Sequence, residues 1–339
     1  MPKSPRKKQK SRSTKSSPTL FTWNWAKQNT IYLSLLLLLL IGSLMASMLH
    51  RTQTIIARTT REFSSTKLPV LVSSASFPVI SAQAVYAVDV ESAVALYEKN
   101  PDETLFPAST TKMITALVAM DTFKMNQLLE VRSSSIDGQK MGLFPGEKMS
   151  VESLLYGLLV HSANDASEVF AQNYPGGREA YVDAMNKKAQ ELHAYNTSFV
   201  NPSGLDAVGQ YTTAKNLARI GIYAMEIPEF AKIVGTESIT VQSADGKSRH
   251  YLTNRNDLLG RVEGVLGIKT GWTENARENL VTYTQRDGHA IVVALLGSQD
   301  RFGESSELIE WIFNSYSWET LENSYSAAGT GDGDASIAP

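Results

Sequence analysis

Hydrophobic residues are distributed in two different ways along this chain of 339 residues. Near the N-terminus, residues 31–49 form one mainly apolar stretch that is about long enough to cross a bilayer as a helix. After residue 78, shorter apolar runs are separated by polar and turn-rich segments, as in a folded domain. The pattern therefore predicts a transmembrane anchor at 30–50 and a folded domain over 78–316.

The apolar runs of the folded domain predict strands at both ends and helices in the middle. On the N-terminal side, residues 83–90 and 93–97 are predicted to pair as a hairpin, and a buried helix starts near residue 109. Further helices are predicted at 150–160, 178–194 and 212–225, later strands at 237–243, 248–253, 264–271, 280–285 and 290–296, and a last helix at 305–316. We expect one α/β (α+β) domain whose antiparallel sheet is assembled from both ends of the chain around a central helical block.

Charge is unevenly distributed along the chain. Residues 1–29 contain eight lysines and arginines and no acidic residue, whereas the whole chain has a net charge of −2, so the remainder carries −10. Basic residues before an apolar span stay on the cytoplasmic side. We therefore expect a single-pass protein of the cell membrane, with a cytoplasmic tail at 1–29 and the folded domain on the extracytoplasmic side. The adjacent span and the acidic remainder argue against a nucleic-acid partner. Residues 51–77 are interpreted as a stalk, and residues 317–339 as a disordered tail.

A cleavable signal peptide is the alternative to a permanent anchor. Cleavage needs small residues at positions −3 and −1 directly after the apolar core, and residues 42–49 offer no such pair. Ala82 and Ala84 have the spacing but lie far downstream, inside a predicted strand. We therefore favour an uncleaved anchor. The absence of cysteine excludes disulfides and thiolate zinc sites, and the five histidines have no ligand spacing, so we expect no metal and no cofactor.

Three polar clusters interrupt apolar stretches at predicted boundaries of helices or strands. In the first cluster, Ser109 and Lys112 are three residues apart and share one face at the start of the buried helix. Burial and the positive end of the helix disfavour the ammonium form, so Lys112 is suited to accept the proton of Ser109. The other two clusters are Ser162-Ala163-Asn164 and Lys269-Thr270-Gly271.

Each cluster alone also has an ordinary structural explanation. A serine such as Ser109 often caps a helix, and Ser162 with Asn164 would do so from a loop. Lysines such as Lys112 and Lys269 are most often solvated. The occurrence of all three clusters in this order, each at a boundary, favours a catalytic site instead.

In this order, Ser-x-x-Lys, Ser-x-Asn and Lys-Thr-Gly resemble the signature of penicillin-binding proteins and serine β-lactamases. The flanking residues most closely resemble the low-molecular-mass D-alanyl-D-alanine carboxypeptidases of the DacA type, serine peptidases of family S11. The matching segments are 96–100, 107–112, 162–166, 201–205 and 267–273, within a resemblance that covers residues 78–316. The resemblance implies a β-lactamase/transpeptidase-like fold, and it implies peptidoglycan stem peptides as substrate and β-lactams as inhibitors.

The resemblance also implies roles for individual residues. Ser109 would attack the carbonyl of the penultimate D-Ala, with Lys112 as its base and Ser162 as a proton relay to the leaving amine. Asn164 is implied to bind the substrate amide, and Lys269, Thr270 and Gly271 are implied to lie near its terminal carboxylate, with Arg301 as an assisting cation. The backbone N–H of Trp272 would donate to the oxyanion together with that of Ser109.

Three positions depart from the family pattern. Ala163 and Arg277 stand where relatives usually carry glycine, and Asn216 stands where aspartate is common. None of the three changes removes a reacting group. With Arg277 in place of glycine, we expect the hairpin at the entrance of the cleft to differ from that of relatives.

Three alternative functions were weighed against a carboxypeptidase. A class A β-lactamase needs a Glu-x-x-Leu-Asn type of carboxylate segment between Asn164 and Lys269, and the sequence has none. A D,D-endopeptidase that cuts peptidoglycan cross-links remains open, because relatives with the same three motifs include such enzymes. A catalytically silent wall-binding or sensory module is disfavoured by the intact Ser109, Lys112 and Ser162.

Overall fold

The computed structural model describes residue 34 and residues 36–46, 67–72 and 76–320 of the chain. The chain divides into two units, Met1–Ser64 and Ser65–Pro339. In the first unit, residues 36–46 are helical and exposed. Within the described residues, no helix combines the length and the apolar character that a membrane crossing requires. Of the predicted anchor at 30–50, residues 30–33, 35 and 47–50 lie outside the described residues.

The described part of the second unit alternates strands with a central group of helices. Its strands are β1 (Leu68–Leu71), β2 (Ala84–Asp89), β3 (Ala95–Lys99), β4 (Leu128–Glu130), β5 (Lys148–Ser150), β6 (Ser238–Gln242), β7 (Arg249–Thr253), β8 (Val265–Thr273), β9 (Arg277–Arg286), β10 (His289–Ser298) and β11 (Tyr316–Glu319). A 3-10 helix (Ala108–Thr111) precedes α1 (Lys112–Thr122), and the later helices are α2 (Val151–Leu159), α3 (Asn164–Asn173), α4 (Gly177–Glu191), α5 (Ala214–Met225), α6 (Pro228–Val234) and α7 (Arg301–Ser315).

The main sheet has five antiparallel strands in the order β3-β2-β10-β9-β8. Strand β10 shows why helices cover both faces, since its side chains alternate between them. Val292 and Ala294 join the large hydrophobic core formed with the central helices, whereas Ile291 and Val293 pack in a second core with Leu308 of α7. The predicted sheet, built from both ends of the chain around a helical block, is confirmed.

Helix α1 lies at the centre of the helical block. All residues from Lys112 to Ala119 are buried, because helices α2, α4 and α5 pack around it. A helix without a polar face is stable in such a position because apolar neighbours surround it on every side. The side chain of Lys112 is buried together with these residues, and this burial affects the protonation of its amine.

The predicted hairpin of β2 and β3 is confirmed, and the main sheet contains a second hairpin formed by β9 and β10. Strands β2 and β3 pair after the turn at residues 90–94, and β9 and β10 pair through Asp287 and Gly288. These two turn residues both have positive φ angles, 50° and 82°. That is the backbone of a two-residue turn whose twist matches antiparallel strands.

The folded unit extends beyond the predicted limits of 78 and 316. Strand β1 pairs with β11, and the N–H of Val72 donates to the carbonyl of Ser315 at 2.8 Å. The expected stalk and tail therefore both give residues to the fold. The sequence did not reveal β1 because it is four residues long and half exposed, and its partner lies at the other end of the chain. Helix α7 likewise begins at Arg301 rather than at residue 305, since Asp300 caps it by accepting from the N–H of Gly303.

Candidate active site

The segment before α1 places Ser109 at the mouth of a cleft. The carbonyl of Phe106 accepts a hydrogen bond from Asn279 Nδ2 of β9 at 2.9 Å, and the carbonyl of Pro107 accepts one from Thr110 Oγ1 at 2.6 Å. Ala108, at the start of the 3-10 helix, has a positive φ of 47°. These contacts fix the turn so that the half-buried Ser109 lines the cleft.

Lys112, the first residue of α1, lies beneath Ser109 and is fully buried. Its Nζ atom is 2.9 Å from Ser109 Oγ and 2.6 Å from the carbonyl oxygen of Ser203. Burial lowers the pKa of Lys112 to about 7, although the negative charge of Asp165 acts in the opposite direction. Near neutral pH, a substantial fraction of this amine is therefore unprotonated and able to accept the hydroxyl proton of Ser109.

The turn at residues 201–205 packs against the start of α1 and against the segment that carries Ser109. Ser203 supplies the carbonyl for Lys112, and the carbonyl of Pro202 accepts from Thr115 Oγ1 of α1 at 2.7 Å. Gly204 has a φ of +87°, and a Cβ atom at this position would overlap the carbonyl oxygen of Ala108. Glycine is thus required here for both the backbone angle and the close approach.

Ser162 and Asn164 form the opposite wall, at the start of α3. Ser162 has a positive φ of 62°, which lets the chain turn sharply between α2 and α3. Asn164 Nδ2 donates to the carbonyl of Asp137 at 2.6 Å, so its side-chain oxygen remains for another donor. The buried Asp165 carboxylate accepts from three successive backbone N–H groups, of residues 141–143, which holds the loop beside the cleft.

Lys269 of β8 connects that wall to the sheet. Its Nζ atom lies 2.9 Å from Ser162 Oγ and 3.0 Å from the carbonyl of Thr270. Its side chain is buried, and this burial lowers the pKa well below its usual value. The positive charges of Lys112, Arg301 and Arg255 act in the same direction. An anion that entered the cleft would reverse part of this effect, because a nearby negative charge favours the ammonium form.

The edge strand β8 approaches the nucleophile segment closely at Gly271. A Cβ atom at Gly271 would lie 3.1 Å from Ser109 N, from Ala108 Cβ and from the carbonyl oxygen of Pro107. Arg301 Nη1 donates to the carbonyl of Gly271 at 2.9 Å. Because the C=O and N–H of a trans peptide unit point in opposite directions, the N–H of Trp272 points away from Arg301.

The cleft has a volume of about 980 Å³. The predicted site residues on its lining are Ser109, Ser162, Asn164, Thr270, Gly271, Trp272 and Arg301. Lys112 and Lys269 lie just behind this surface and bond to its two serines. The structure thus brings all three sequence clusters and Arg301 to one place. Arg301 is also mostly buried, and its Nε atom has no protein partner among the described residues.

Several residues that shape the site were not predicted from the sequence. Ser203, Asp165 and Asn279 act through a backbone carbonyl, a loop carboxylate and a cross-strand amide, and none of these roles has a short sequence pattern. The segment 201–205 was recognised as a compact turn and as part of the family resemblance. Its contact with Lys112 joins residues 91 positions apart, so spacing gave no signal for it.

The three departures from the family pattern have different structural settings. Arg277 has a φ of 54°, a conformation that favours glycine, and it begins β9 beside the cleft entrance. Ala163 has an ordinary extended backbone and is buried as the N-cap of α3. Asn216 lies in the first turn of α5, where its side chain donates to Thr197 Oγ1 at 3.0 Å. Asn216 is therefore not part of the cleft lining.

The chain is similar to known proteins over most of this unit. The family model of Peptidase S11, described as D-alanyl-D-alanine carboxypeptidase, matches residues 71–300. D-alanyl-D-alanine carboxypeptidase DacF of Bacillus subtilis is 33% identical over 251 residues, which cover 71% of this chain and 64% of DacF. D-alanyl-D-alanine carboxypeptidase DacB2 of Mycobacterium tuberculosis is 33% identical over 242 residues, which cover 68% of this chain and 82% of DacB2.

Solved structures give the same result. The crystal structure of the Streptomyces K15 DD-transpeptidase matches with a TM-score of 0.67 and 26% identity, over 71% of this chain and all of that one. The fold is thus the α/β fold of this transpeptidase, as expected. The chain spans slightly less than two thirds of the length of DacF, the relative described first. The family match covers the whole cleft up to the start of α7, and the chain belongs to peptidase family S11, the D-alanyl-D-alanine carboxypeptidases.

Proposed function

We propose that the protein is a serine-type D-Ala-D-Ala carboxypeptidase that removes the terminal D-Ala from peptidoglycan stem pentapeptides through an acyl-enzyme on Ser109. One observation carries the proposal. The buried Lys112, with a pKa near 7, lies 2.9 Å from Ser109 Oγ, and the Lys269–Ser162 pair forms the other wall of the same cleft. Family membership supports the same reaction.

In the acylation step, neutral Lys112 accepts the hydroxyl proton while Ser109 Oγ bonds to the carbonyl carbon of the penultimate D-Ala. The carbonyl oxygen becomes negatively charged in the tetrahedral intermediate. The backbone N–H groups of Ser109 and Trp272 are the proposed donors to this oxygen, and their closeness is supported by the packing of Gly271 against Ser109 N. Such donors contribute about 10²- to 10³-fold each in rate.

Collapse of the intermediate requires a proton on the leaving amine of D-Ala. Ser162 Oγ supplies it in this proposal, and the adjacent Lys269 Nζ at 2.9 Å replaces the proton on Ser162. The side-chain oxygen of Asn164 accepts from the substrate amide N–H. This assignment fits the observation that Asn164 already uses its Nδ2 atom on the carbonyl of Asp137.

A free C-terminal carboxylate needs cations to bind it. Lys269, Thr270 and Arg301 are the proposed contacts. Arg301 lines the cleft, where its Nη1 atom holds the carbonyl of Gly271. A substrate carboxylate would pair with the positive charge of this guanidinium. It would also raise the pKa of Lys269 and restore its charge.

Water then attacks the acyl-enzyme from the side of the departed amine. Ser162 takes a proton from this water and passes its own to Lys269, Lys112 returns its proton to Ser109 Oγ, and the shortened peptide leaves. A β-lactam carries a reactive amide next to a carboxylate, so it should acylate Ser109 in the same way and act as an inhibitor. The reaction uses only side chains and backbone groups, and the proposal requires no cofactor or metal.

We also propose that residues 30–50 anchor the protein in the cell membrane with residues 1–29 in the cytoplasm. The support is the apolar stretch 31–49, which follows eight basic residues. An extracytoplasmic catalytic unit would then face the peptidoglycan. Protease treatment of intact spheroplasts should remove the catalytic unit and spare an N-terminal tag, and the reverse result would refute this orientation.

The proposed reaction is tested by incubating the purified protein with fluorescent penicillin, with a stem pentapeptide and with a cross-linked peptide dimer. We expect a covalent adduct on Ser109 and release of D-Ala from the pentapeptide, identified by mass. Absence of both the adduct and D-Ala would refute the proposal. Cleavage of the dimer in preference to the pentapeptide would instead assign the D,D-endopeptidase activity.

A further inference from the structure

Asp206 lies between the two walls of the cleft and has no role in the mechanism described so far. It follows the turn at 201–205 and lines the cleft. Its Oδ1 atom accepts from Thr273 Oγ1 at 2.7 Å, and its Oδ2 atom accepts from Asn275 Nδ2 at 3.0 Å. Both donors belong to the end of β8 and the connection to β9. A single carboxylate therefore joins the turn to this hairpin across 67 and 69 residues of sequence.

Each end of this connection is adjacent to a reacting group. On the turn side, Ser203 accepts from Lys112 Nζ. On the hairpin side, Thr273 directly follows Trp272, whose N–H is the proposed second oxyanion donor. Thr273 also accepts, through Oγ1, from the N–H of Ala276 at 3.0 Å, so its hydroxyl organises the hairpin itself. Asp206 thus links the hairpin to the turn whose Ser203 contacts the base.

Trp272 and Thr273 lie at the end of the β8–β9 ladder, where they pair with Glu278 and Arg277. On the other side of Trp272, Arg301 Nη1 fixes the carbonyl of Gly271. The Trp272 side chain is 63% exposed and gives little packing support. Arg277, which closes the hairpin, has a φ of 54° that is unfavourable for a residue with a side chain. A hairpin with these features needs an external contact to keep a fixed geometry.

We propose that Asp206 is a positioning residue that aligns the N–H of Trp272 with the N–H of Ser109 by bracing the hairpin through Thr273. The inference rests on the proposed acyl-enzyme reaction, because only that reaction develops an oxyanion at this point. Oxyanion donors act in the transition state and depend steeply on placement. Loss of the brace should therefore lower kcat and the rate of acylation, and leave KM nearly unchanged.

The test measures the second-order rate constant of acylation by fluorescent penicillin, and kcat and KM for a stem pentapeptide. Asp206→Ala should slow acylation by about 10- to 100-fold, the range for a displaced oxyanion donor. Asp206→Asn keeps a side-chain oxygen for the Thr273 hydroxyl and should stay within about threefold of wild type. Glu263→Ala is the matched control, since it removes an exposed carboxylate just before β8 that does not line the cleft, and it should react at the wild-type rate.

A double-mutant cycle separates bracing from direct contact with the substrate. Thr273→Val removes the same hydrogen bond from the other side and should also slow acylation about 10- to 100-fold. The double variant Asp206→Ala, Thr273→Val should lose much less than the product of the two single losses, because both changes remove the Asp206–Thr273 bond. Each single change also removes one further bond, to Asn275 or to the N–H of Ala276. Thr273→Val also carries the test if Asp206→Ala does not fold, as judged by circular dichroism.

Three results would overturn the inference while leaving the proposed function intact. They are a normal acylation rate in Asp206→Ala, losses that multiply in the double variant, and an equal loss in Asp206→Asn and Asp206→Ala. In all three cases the wild type is still labelled by penicillin. A wild type without labelling would remove the proposed function itself, so the two failures are distinguishable.

Discussion

The carbonyl oxygen of Ser203 lies 2.6 Å from Nζ of Lys112. The turn that carries Ser203 also contacts the segment before Ser109 at Gly204. One short loop therefore positions both the amine of Lys112 and the backbone that leads to Ser109. Because a carbonyl is a neutral acceptor, it orients the amine without adding a negative charge that would stabilise the ammonium form.

Replacing Gly204 by alanine should disturb this loop more than its backbone angle alone predicts. Gly246→Ala is the matched control, since Gly246 has a similar φ of +71° but open space around its Cβ position. We expect Gly246→Ala to cost about 1–2 kcal/mol in unfolding free energy and to leave acylation unchanged. Gly204→Ala should cost more and slow acylation, because the Cβ meets the carbonyl of Ala108. Equal effects of the two substitutions in chemical denaturation and penicillin labelling would argue against the close contact.

Ser109→Ala should abolish both penicillin labelling and D-Ala release. The substitution removes only the hydroxyl of a half-buried residue, so the far-UV circular dichroism and the thermal midpoint should match those of the wild type. Ser135→Ala, at an exposed serine on the loop near the cleft, serves as the control and should be labelled normally. Residual hydrolysis by Ser109→Ala above the buffer rate would rule out Ser109 as nucleophile.

The activity should depend on pH through Lys112. Its pKa of about 7 means that the base is protonated, and inactive, at lower pH. The acylation rate should therefore rise about tenfold per pH unit below pH 7 and level off above it. Stopped-flow or gel labelling between pH 5 and pH 9 measures this profile. Lys112→Arg keeps the charge without the base and should be inactive throughout, so activity in that variant at any pH would contradict the assignment.

The lowered pKa of Lys112 also predicts that the free energy of unfolding depends on pH. Between about pH 7 and pH 10.5, unfolded Lys112 binds a proton that the folded state lacks, so folding becomes more favourable as pH rises. Relative to Lys112→Met, the wild type should gain stability at about 1.4 kcal/mol per pH unit in that interval. Denaturant titrations of both proteins at pH 7, 8 and 9 measure the difference. A difference that is constant or falls with pH would refute a depressed pKa.

Lys269→Ala should impair substrates with a free C-terminal carboxylate most. Loss of one charge-assisted contact corresponds to about 10- to 100-fold in kcat/KM. The matched peptide with a C-terminal amide should lose less, because it lacks this contact and loses only the proton that Lys269 returns to Ser162. Ser162→Ala is the comparison, because a proton relay serves both peptides equally. Equal losses on the two peptides in Lys269→Ala would contradict a carboxylate role for Lys269.

The sequence predicted the sheet, the helical block and the residues of the cleft because each leaves a local pattern. Strands β9 and β10 contain apolar runs on either side of the turn at Asp287-Gly288, and Ser109, Ser162 and Lys269 lie in short motifs at element boundaries. The prediction failed where the partner is distant. Strand β1 has no pattern without β11, and the start of α7 depends on the cap at Asp300 rather than on apolar periodicity.

The residues that support the cleft could not be predicted from the sequence for a related reason. Asn279, Asp165 and Asp206 act through hydrogen bonds to groups tens of residues away, and their neighbours in sequence carry no sign of this. The departure at Arg277 could be noted by resemblance alone. Its positive φ angle gives the physical reason why glycine is usual there.

The order of the strands has a consequence for when the enzyme becomes active. The bond from Asn279 to the carbonyl of Phe106 joins residues 173 positions apart, and β2 pairs with β10. Ser109 therefore emerges from the ribosome long before β8–β10, which complete its cleft. Sheets that depend on such distant pairing form late. Penicillin labelling of chains arrested during synthesis should consequently begin only after β10 has emerged, so the nascent chain stays unreactive long after Ser109 has been synthesised.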